Sequence, residues 1–505
     1  MLVHEVIERV ARRTPDSAAL IAGGVTTSFA DLAARIRRTA TWSAGLTDAG
    51  DRIGVIGENH RAWADLYYGV PAAGRILVFL NHRLAAPELR SIATRAGIRA
   101  VVGAAAHVER LGLDLPGATF ESWDDELRRH APASELASDA AAPAWILYTS
   151  GTTARPKGAV LTHSGILAAV SVTAVARPAT DDDVYIFPFP LCHVAGYNLV
   201  HHHARGRPVV LLPRFDAAAF IEAVERHGGT STSVAATMLS DVLDLVETDA
   251  GALATLRSMR LIAYGSAPMP AATLRRASRL IDVGFAQGYG MTELAGNAVF
   301  LGPEEHRRGL AGEAHLLAAA GRPGPGVEVR VVDDEGRDTP VGGVGEILVR
   351  GRQVMARYWD DPEATAEALV DGWLHTGDVG RYDDDGVLYV VDRKKDVIVT
   401  GGENVSSLEV EQVLASCPGV REVAVVGVPD ARWGENVCAV IAPSVGAAVD
   451  RAAVVAAARA ELAGFKVPRH VVIVDELPRN GTGKVVKAEL RRWLAADPSL
   501  LGERG

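Results

Sequence analysis

Two kinds of hydrophobic pattern alternate along the first two thirds of the chain. Short runs rich in β-branched residues, such as 51–57 (DRIGVIG) and 207–213 (RPVVLLP), are separated by alanine-rich stretches with helical spacing, such as 29–40 (FADLAARIRRTA). Apolar runs of strand length that alternate with helical segments are typical of a layered α/β body with largely parallel strands. The pattern predicts such a body from about residue 20 to about residue 330.

A denser β region follows the α/β body. It runs from 325–336 (PGVEVRVVDDEG) through 345–351 (GEILVRG) to 386–396 (GVLYVVDRKKD), with turn signals at 334–336 and 385–386. Strand patterns separated by short turns of this kind are typical of antiparallel pairing. We therefore expect a subdomain of antiparallel strands here.

The last 110 or so residues have the pattern of a compact α+β unit. Ser406 and Glu409 have the spacing of a capping box at a helix start. Strands are predicted at 422–428, 437–443 and 470–474, with a second helix near 452–463. The predicted organisation is an N-terminal domain over 1–392, a hinge at 393–396 and a C-terminal domain over 397–505.

Composition narrows the class of protein. The chain has 505 residues, 48% of them hydrophobic, which is enough for more than one core. A net charge of -10 with interspersed signs disfavours nucleic acid and anionic membranes as partners. Three cysteines form no disulfide framework, the N-terminal residues mix charges into a helical pattern, and no apolar run has the length of a membrane span. We expect a soluble cytoplasmic enzyme, a monomer or homodimer that binds small molecules.

The segment 148–160 (YTSGTTARPKGAV) combines hydroxyl groups, glycines and one lysine in a way that suits a phosphate group. It is not a Walker loop, because Pro156 rather than glycine precedes Lys157. Taken alone, a cluster of Ser, Thr and Gly is also the composition of an ordinary turn. The segment therefore depends on other motifs for its interpretation.

Four further motifs follow in order along the chain: 289–293 (YGMTE), 372–378 (GWLHTGD), 392–404 (DRKKDVIVTGGEN) and 478–485 (PRNGTGKV). Together with the first segment they resemble the adenylate-forming superfamily, and most nearly its acyl-CoA synthetases, over almost the whole chain. The resemblance implies a large N-terminal domain of mostly parallel sheets with an antiparallel β subdomain, and a small mobile α+β C-terminal domain. It also implies that a carboxylic acid and ATP form an acyl-adenylate and pyrophosphate, after which coenzyme A yields the thioester and AMP.

The resemblance assigns the nucleotide-binding residues. Tyr289 would stack on adenine, Thr292 would bond the α-phosphate and Glu293 would hold Mg²⁺, whereas without it Tyr289 is equally a core aromatic and Glu293 a solvated charge. Asp378 would accept both ribose hydroxyls with support from Arg393; otherwise Asp378 is a turn residue. The β- and γ-phosphates would be held by Thr149, Ser150, Gly151, Thr152, Thr153 and Lys157, and the remaining nucleotide contacts would come from Gly265, Ser266, Ala267, Gly288 and Gly290.

The resemblance also assigns residues of the C-terminal domain. Lys484 would bridge the substrate carboxylate and the α-phosphate, and such a preorganised donor is worth about 10² to 10³ in rate. Rotation about the hinge residue Lys395 would then bring Gly401 and Gly402 to the thiol, where the absence of side chains leaves room for a pantetheine arm. A solvated lysine after a turn and a plain hairpin turn are the alternatives.

The acyl pocket is the least specific part of the pattern. The segment 187–200 matches the part of the family that lines the pocket, with His193 as the gate and catalytic candidate and Tyr197 and Asn198 as polar handles. The other predicted wall residues are Val194, Ala236, Thr237 and Met291. Since no cation is evident for a second carboxylate, a monocarboxylic acid, aryl or medium-sized, is expected. The consecutive histidines 201–203 cannot all face one ion from a helix, so packing or pocket lining is favoured over a metal site.

Two positions depart from the family pattern. Ala154 stands where glycine is usual, and Ser406-Ser407 replaces a frequent pair of a bulky residue and proline. Four functions stay open: a carboxylate-CoA ligase; a relative with another second substrate, such as an adenylation enzyme that loads a carrier protein or a diazotase that activates nitrite; a nucleotide-binding regulator without turnover; and a luciferase-type oxidase. Supplying each acceptor in turn with ATP separates the alternatives for the second substrate, and absence of pyrophosphate release with any acid would favour the regulator.

Overall fold

The computed structural model describes residues 1–137, 139–149, 156–265, 269–430, 432–444, 446–480 and 484–501. Two compact units make up the chain. The first consists of Met1–Met269, Thr273–Glu328 and Val349–Leu374, and the second of Pro270–Ala272, Val329–Leu348 and His375–Gly505. The boundaries at 1–392, 393–396 and 397–505 stay a prediction.

The β-strands are β1 Ala18–Ala22, β2 Val25–Ser28, β3 Arg52–Ile56, β4 Ile76–Leu80, β5 Ile98–Gly103, β6 Gly117–Thr119, β7 Pro143–Thr149, β8 Lys157–Thr162, β9 Tyr185–Phe187, β10 Val209–Leu211, β11 Ser231–Val234, β12 Leu261–Gly265, β13 Gly284–Met291, β14 Gly296–Leu301, β15 Arg322–Pro323, β16 Val327–Val332, β17 Gly345–Gly351, β18 Arg357–Tyr358, β19 Leu369–Val370, β20 Trp373–Tyr382, β21 Leu388–Arg393, β22 Ile398–Thr400, β23 Glu403–Val405, β24 Val420–Asp430, β25 Gly434–Pro443 and β26 His470–Ile473.

The α-helices are α1 Val3–Arg13, α2 Phe29–Leu46, α3 Ala62–Ala72, α4 Ala86–Ala96, α5 Ala105–Leu111, α6 Trp123–Arg128, α7 His163–Ala176, α8 Tyr197–Ala204, α9 Ala217–His227, α10 Ala236–Val246, α11 Ala250–Arg257, α12 Ala271–Leu280, α13 Pro303–Ala311, α14 Pro362–Ala368, α15 Ser407–Leu414, α16 Arg451–Glu461 and α17 Lys487–Ala496. Short 3-10 helices include Val194–Gly196 and Thr292–Leu294.

The first unit contains two large sheets. One has nine strands in the order β15-β14-β13-β12-β11-β9-β10-β1-β2, and the other seven in the order β18-β8-β7-β4-β3-β5-β6. The inner strands pair in parallel, and antiparallel pairs lie toward the edges, except that the edge strand β6 pairs with β5 in parallel. All five residues of β4 are buried, as expected for a parallel strand covered on both faces. The predicted α/β body with largely parallel strands is confirmed.

The sheet of the second unit has two buried faces. Its order is β23-β22-β25-β24, and β26 pairs with β25 in parallel. Successive strand residues point to opposite faces, so Ala424 and Val426 pack with Leu490 of α17, whereas Val425 packs with Val410 of α15. The strands β24, β25 and β26 and the helix α16 lie close to the positions predicted for them.

A further sheet has the order β16-β17-β20-β19, with β21 beside β20. The pairs β19–β20 and β20–β21 are antiparallel, and Gly336 and Gly386 have positive φ at the predicted turns. The predicted antiparallel region is confirmed.

The predicted capping box at Ser406 is only half formed. The Ser406 hydroxyl accepts a hydrogen bond from the Glu409 backbone N–H at 3.0 Å, as a helix N-cap does. The Glu409 carboxylate, however, binds the Lys466 ammonium at 2.7 Å. The expected reciprocal bond is replaced because a cation from elsewhere in the unit is the stronger partner for a carboxylate.

Candidate active site

The described ends of the predicted phosphate segment lie on two paired antiparallel strands. Thr149 ends β7, Lys157 begins β8, and the two residues are register partners. The Thr149 hydroxyl donates to the Lys157 carbonyl oxygen at 3.4 Å. Ser150, Gly151, Thr152, Thr153 and Ala154 lie outside the described residues. The pairing of the two strands thus brings the lysine and one hydroxyl of the segment to the same end of the sheet.

Tyr358 connects Lys157 to the predicted magnesium residue Glu293. Strand β18 pairs with β8, which sets Tyr358 opposite Ala159 and near Lys157. The Lys157 ammonium lies 5.3 Å from the centre of the Tyr358 ring, a cation–π distance. The Tyr358 hydroxyl donates to Glu293 Oε1 at 2.8 Å, so the aromatic residue holds the cation and the carboxylate at one place.

Glu293 has the environment that a carboxylate ligand of Mg²⁺ needs. It lies in the short 3-10 helix Thr292–Leu294, and the backbone N–H of Met355 donates to its carbonyl oxygen at 2.7 Å. Oε1 is bound to Tyr358, so the second oxygen, Oε2, is the one that would bind a metal. One oriented carboxylate together with substrate phosphates is the usual protein contribution to such a site, so the residues present fit Mg²⁺.

The predicted adenine segment lies on tightly packed backbone. Gly265 and Gly288 are partners in the parallel pair β12–β13. A Cβ atom at Gly288 would lie 2.0 Å from Nδ2 of Asn297, and one at Gly290 would lie 2.0 Å from the carbonyl oxygen of Gly296. These glycines are therefore required by the pairing of β13 with β14, which also sets the half-buried Tyr289 between them. Ser266 and Ala267 are outside the described residues.

Gln353 supports the loop that follows Glu293. Its side-chain nitrogen donates at 3.0 Å to the carbonyl oxygens of Leu294 and Asn297, and its side chain is fully buried. Ala295 between them has φ 53°, a left-handed conformation that an L-residue adopts only when its surroundings hold it. This support keeps Thr292 and Glu293 in place at the end of β13.

Four of the predicted pocket residues lie at or just before the start of α8. His193 and Val194 are half-buried, whereas Tyr197 and Asn198 are only 2% and 4% exposed. The Tyr197 hydroxyl accepts from Asn297 Nδ2 at 3.0 Å, and Asn198 donates to the Ala195 carbonyl oxygen at 2.9 Å. Of the remaining wall residues, Ala236 and Thr237 begin α10 and Met291 ends β13. The polar handles thus have partners inside the protein, and their contact with the acid stays a prediction.

The three consecutive histidines are packing residues of α8. The His203 ring bonds to the Tyr68 hydroxyl at 2.8 Å and the Ala19 carbonyl at 2.9 Å, and the His202 ring stacks on Tyr185 at 4.0 Å. Burial lowers the pKa of His202 to about 3 and that of His203 to about 4. No group of three or more His, Cys, Asp or Glu side chains in the described part of the chain has the arrangement of a metal site.

In the second unit, the predicted ribose residue is already paired with its predicted support. Asp378 and Arg393 are register partners across β20 and β21. The Arg393 Nε lies 2.6 Å from Asp378 Oδ1. The carboxylate is buried on its strand while the guanidinium is partly exposed, so the pair offers an oriented, ionised acceptor for hydroxyl groups.

Gly401 and Gly402 form a two-residue hairpin turn between β22 and β23. Their φ angles are 62° and 85°, which match the mirror-image turn that fits twisted strands. The Gly401 N–H donates to the Trp433 carbonyl oxygen at 2.7 Å. The guanidinium groups of Arg432 and Arg469 lie 5.0 and 4.8 Å from the Trp433 ring. We call Arg432, Trp433 and Arg469 the cationic aromatic patch.

Lys484 is hydrogen-bonded to Asn480 in the second unit. Its carbonyl oxygen accepts from the Asn480 N–H at 2.9 Å, and its own N–H donates to Asn480 Oδ1 at 3.0 Å. Gly481, Thr482 and Gly483 lie outside the described residues. The predicted hinge residue Lys395 is exposed between two buried aspartates, Asp392 and Asp396.

The predicted residues divide between the two units. The phosphate, adenine, magnesium and pocket residues belong to the first unit, whereas Asp378, Arg393, Lys395, Gly401, Gly402 and Lys484 belong to the second. Among the helices of the described residues, none combines the length and the apolar character needed to cross a bilayer.

Sequence reasoning missed Tyr358, Gln353 and the cationic aromatic patch. Tyr358 acts through a strand pairing that joins positions some 200 residues apart, and no local motif signals it. A weak signal existed for Trp433, since tryptophan between arginine and glycine in a charged turn (DARWGEN, 430–436) has no core pattern around it.

Comparisons with known proteins match nearly the whole chain. A family model described as AMP-binding enzyme matches residues 7–359, and one described as AMP-binding enzyme C-terminal domain matches residues 409–484. A feruloyl-CoA synthase from an Amycolatopsis species is 37% identical over 499 residues, which cover 96% of this chain and 97% of that protein. The fatty acid–[acyl-carrier-protein] ligase ScoC of Streptomyces coeruleorubidus is 35% identical over 500 residues, covering 95% and 94%.

Among solved structures, the o-succinylbenzoate CoA synthetase MenE of Bacillus subtilis, in complex with its acyl-adenylate intermediate OSB-AMP, is similar to this chain. The TM-score is 0.86 at 29% identity, and the match covers 96% of this chain and 97% of that one. The fold is thus shared over nearly the whole length.

Proposed function

Because the chain belongs to the AMP-binding enzyme family, we propose that it is an AMP-forming acid–thiol ligase that joins a monocarboxylic acid to coenzyme A. The observation that carries the proposal is the connection of Lys157 to Glu293 through Tyr358. It sets a cation and an anionic metal ligand at one place, which is the arrangement that transfer of a nucleotidyl group from ATP requires.

In the first half-reaction, a carboxylate oxygen of the acid attacks the α-phosphorus of ATP and the bond to pyrophosphate breaks. Asp378 accepts the ribose hydroxyls, Lys157 and the Thr149 segment hold the leaving phosphates, and Thr292 donates to the α-phosphate. Mg²⁺ held by Glu293 neutralises phosphate charge when bound. The role of Lys484 would be to bridge the carboxylate and the α-phosphate and so to stabilise the charge that develops during transfer.

In the second half-reaction, a thiolate attacks the acyl carbonyl carbon and AMP leaves as a weakly basic phosphate. The mixed anhydride reacts readily with water, so the site has to exclude solvent until the thiol arrives. The hairpin at Gly401 and Gly402 would present its backbone to the pantetheine arm after rotation at Lys395.

The cationic aromatic patch supports coenzyme A as the acceptor. It lies directly beside the hairpin, since the Gly401 N–H is bonded to Trp433. Arg432 and Arg469 are exposed, so both guanidinium groups are available to phosphates, while the indole offers a face to an adenine. Coenzyme A carries three phosphate groups and an adenine, which free pantetheine lacks.

The acid is a monocarboxylic acid, aryl or medium-sized. Small and apolar residues dominate the predicted walls, and the aryl substrate named for the Amycolatopsis relative is of this class. Recognition of the acid then depends mainly on shape. A hydrophobic pocket distinguishes two acids that differ by one methylene by only about 1 to 3 kcal/mol.

The test is a pyrophosphate-release screen over carboxylic acids with and without coenzyme A, followed by mass analysis of the product. We expect release with a subset of aryl and medium-chain acids and an acyl-CoA product. Release of pyrophosphate with no acid at all, or with acids but without any thioester, would contradict the proposed ligase.

The acceptor is tested by comparing coenzyme A with pantetheine. Arg432→Ala and Arg469→Ala should raise the KM for coenzyme A while leaving the KM for pantetheine unchanged. Arg459→Ala, an exposed arginine in the last turn of α16, is the matched control and should change neither. Equal KM values for coenzyme A in variants and wild type would exclude the patch as its site.

A carrier protein is the second candidate acceptor, and the similarity to ScoC favours it. The phosphopantetheine of a carrier protein lacks the adenine and the 3′-phosphate, so this acceptor would be insensitive to loss of the patch. Product analysis with a loaded carrier protein in place of coenzyme A distinguishes the two.

We further propose a cytoplasmic monomer or homodimer. The three cysteines are free and buried, which suits a reducing compartment. Light scattering across a range of protein concentrations measures the oligomeric state.

A further inference from the structure

Ser406 and Ser407 bind the end of the strand that precedes the predicted hinge. The Ser406 hydroxyl donates to the Val391 carbonyl oxygen at 2.5 Å. The backbone N–H and the hydroxyl of Ser407 both donate to Asp392 Oδ2, at 2.6 and 2.7 Å. Three hydrogen bonds, two of them to a buried carboxylate, therefore join residues on the two sides of Lys395, all within the second unit.

Lys487 extends these contacts toward Lys484. Its ammonium donates to the Ser407 hydroxyl at 2.5 Å and lies 2.7 Å from Glu411 Oε1. The same Glu411 oxygen accepts from the Val425 N–H at 2.7 Å. The Ser407 hydroxyl thus accepts from Lys487 and donates to Asp392, so each group in the series has a partner of the correct kind.

The backbone between Lys484 and Lys487 is also held. Val485 forms a β-bridge with Arg479, and the Val486 N–H donates to the Pro478 carbonyl oxygen at 2.8 Å. Lys487 is the first residue of α17, three positions after Lys484. A shift of the backbone at Lys487 would therefore also shift Lys484.

We propose that Ser406, Ser407 and Lys487 form a latch across the hinge, and that its opening controls the exchange between the two half-reactions. The latch rests on the proposed function, in which rotation at Lys395 separates adenylation from thioester formation. Residues 391 and 392 precede Lys395 and residues 406 and 407 follow it. Rotation about the hinge cannot occur while the hydrogen bonds between them are intact.

The two serines supply donors that a proline at the second position could not. The resembling family frequently has a bulky residue and proline at these two positions, and proline has neither a backbone N–H nor a hydroxyl. A proline at 407 would leave Asp392 without both Ser407 donors and Lys487 without its hydroxyl partner. Ser407 and Lys487 are thus positioning residues, which act on the reaction through Lys484.

The test compares the two half-reactions in Ser407→Ala and Ser407→Pro. Alanine removes the hydroxyl and keeps the N–H, whereas proline removes both and suits the first position of α15. Adenylation is measured as single-turnover pyrophosphate release without coenzyme A, and the second step as thioester formation from supplied acyl-adenylate. We expect the ratio of the two rates to change by about tenfold or more in Ser407→Ala, as for loss of one hydrogen bond to a charged group, and further in Ser407→Pro.

Controls separate the latch from a merely structural role. Ser416→Ala removes an exposed serine hydroxyl that bonds the Val413 carbonyl just after α15, and its ratio should equal that of the wild type. The double variant Lys487→Met/Glu411→Gln removes the ion pair without leaving a buried unpaired carboxylate, and it should shift the ratio in the same direction as Ser407→Ala. Equal loss of both half-reactions in the serine variants, with the ratio unchanged, overturns the latch.

A second readout does not need activity. Lys394 and Lys395 are exposed, so trypsin cleavage after them reports how freely the hinge segment opens. Cleavage should be several-fold faster in Ser407→Pro than in the wild type and in Ser416→Ala, and equal rates overturn the latch. If the wild type releases no pyrophosphate with any acid, the proposed function fails, while the cleavage comparison still decides on the latch.

Discussion

At the scale of single residues, Tyr358 has two separable roles. Its ring lies under the Lys157 ammonium, and its hydroxyl donates to the Glu293 carboxylate. Tyr358→Phe removes only the hydrogen bond and Tyr358→Leu removes both contacts. A residue that orients a metal ligand typically changes metal affinity by about 10- to 100-fold when it is replaced.

We therefore expect Tyr358→Phe to raise the Mg²⁺ concentration for half-maximal adenylation by about tenfold. Tyr358→Leu should in addition raise the KM for ATP, because the lysine loses its ring. Adenylation rates at varied Mg²⁺, together with calorimetric binding of Mg²⁺ and ATP, measure both effects. Tyr382→Phe, which alters a tyrosine bonded to a backbone carbonyl elsewhere, is the control. An unchanged Mg²⁺ dependence in Tyr358→Phe would contradict the proposal that Glu293, oriented by Tyr358, binds the metal.

The same residue shows where sequence reasoning ends. Lys157 and Glu293 could be proposed because each lies in a short motif, and Asp378 and Arg393 because two motifs carry them. Tyr358 belongs to a two-residue strand, and its position beside Lys157 follows from the pairing of β18 with β8. Pairing between distant strands depends on the whole packing of the sheet, which local patterns do not contain.

At the scale of elements, the period of the hydrophobic pattern predicted the type and order of the helices and strands better than their exact ends and side-chain contacts. The helix expected over 29–40 continues to Leu46, and the strands of the second unit lie within a few residues of their predicted positions. The capping pattern at Ser406 was right for one hydrogen bond and wrong for the other, because Lys466 binds Glu409. Local sequence thus locates a helix start, while tertiary partners decide which side chains complete it.

The hairpin at Gly401 and Gly402 offers a matched pair of substitutions. Both glycines have left-handed φ, so alanine at either position costs about 1 to 2 kcal/mol of stability. A Cβ atom at Gly401 would also lie 2.8 Å from the Trp433 ring, whereas one at Gly402 meets nothing within 4 Å. Gly401→Ala should therefore lower the free energy of unfolding more than Gly402→Ala, as measured by urea denaturation.

For the rate of the thiol step, Gly402→Ala is the informative variant. Gly402→Ala keeps the fold but adds a methyl group where the pantetheine arm is expected to pass, so thioester formation should slow relative to adenylation. Adenylation itself serves as the internal control. Equal rates in Gly402→Ala and the wild type would remove the hairpin from the thiol path.

At the scale of the whole molecule, buried histidines couple the stability of the first unit to pH. Burial lowers the pKa of His202 to about 3 and that of His163 and His203 to about 4, against about 6.5 in an unfolded chain. The unfolded state binds more protons between these values, so the stabilisation is complete above about pH 6.5 and is lost as pH falls toward about 4.

Urea unfolding at several pH values tests this coupling. The free energy of unfolding should fall on acidification, by up to about 1.4 kcal/mol per pH unit for each such histidine. His203→Gln should reduce this slope whatever its effect on stability at pH 7, whereas His315→Gln, at an exposed position, should leave it unchanged. A slope that His203→Gln does not alter would contradict the buried neutral state of this ring.

The proposed function assigns roles to residues of each unit, and Lys484 tests the role assigned to the second unit. If Lys484 serves only adenylation, Lys484→Ala should slow acyl-adenylate formation by about 10² to 10³, the usual effect of removing a preorganised donor. Thiolysis of a supplied acyl-adenylate should remain mostly intact, because that step depends on the hairpin and the cationic aromatic patch instead. Rapid-quench measurement of each half-reaction gives both numbers. Arg492→Ala, an exposed cation on α17, should change neither. Equal loss in both half-reactions would mean that Lys484 is not confined to one of two alternating arrangements, and the division of labour assigned to the second unit would have to be abandoned.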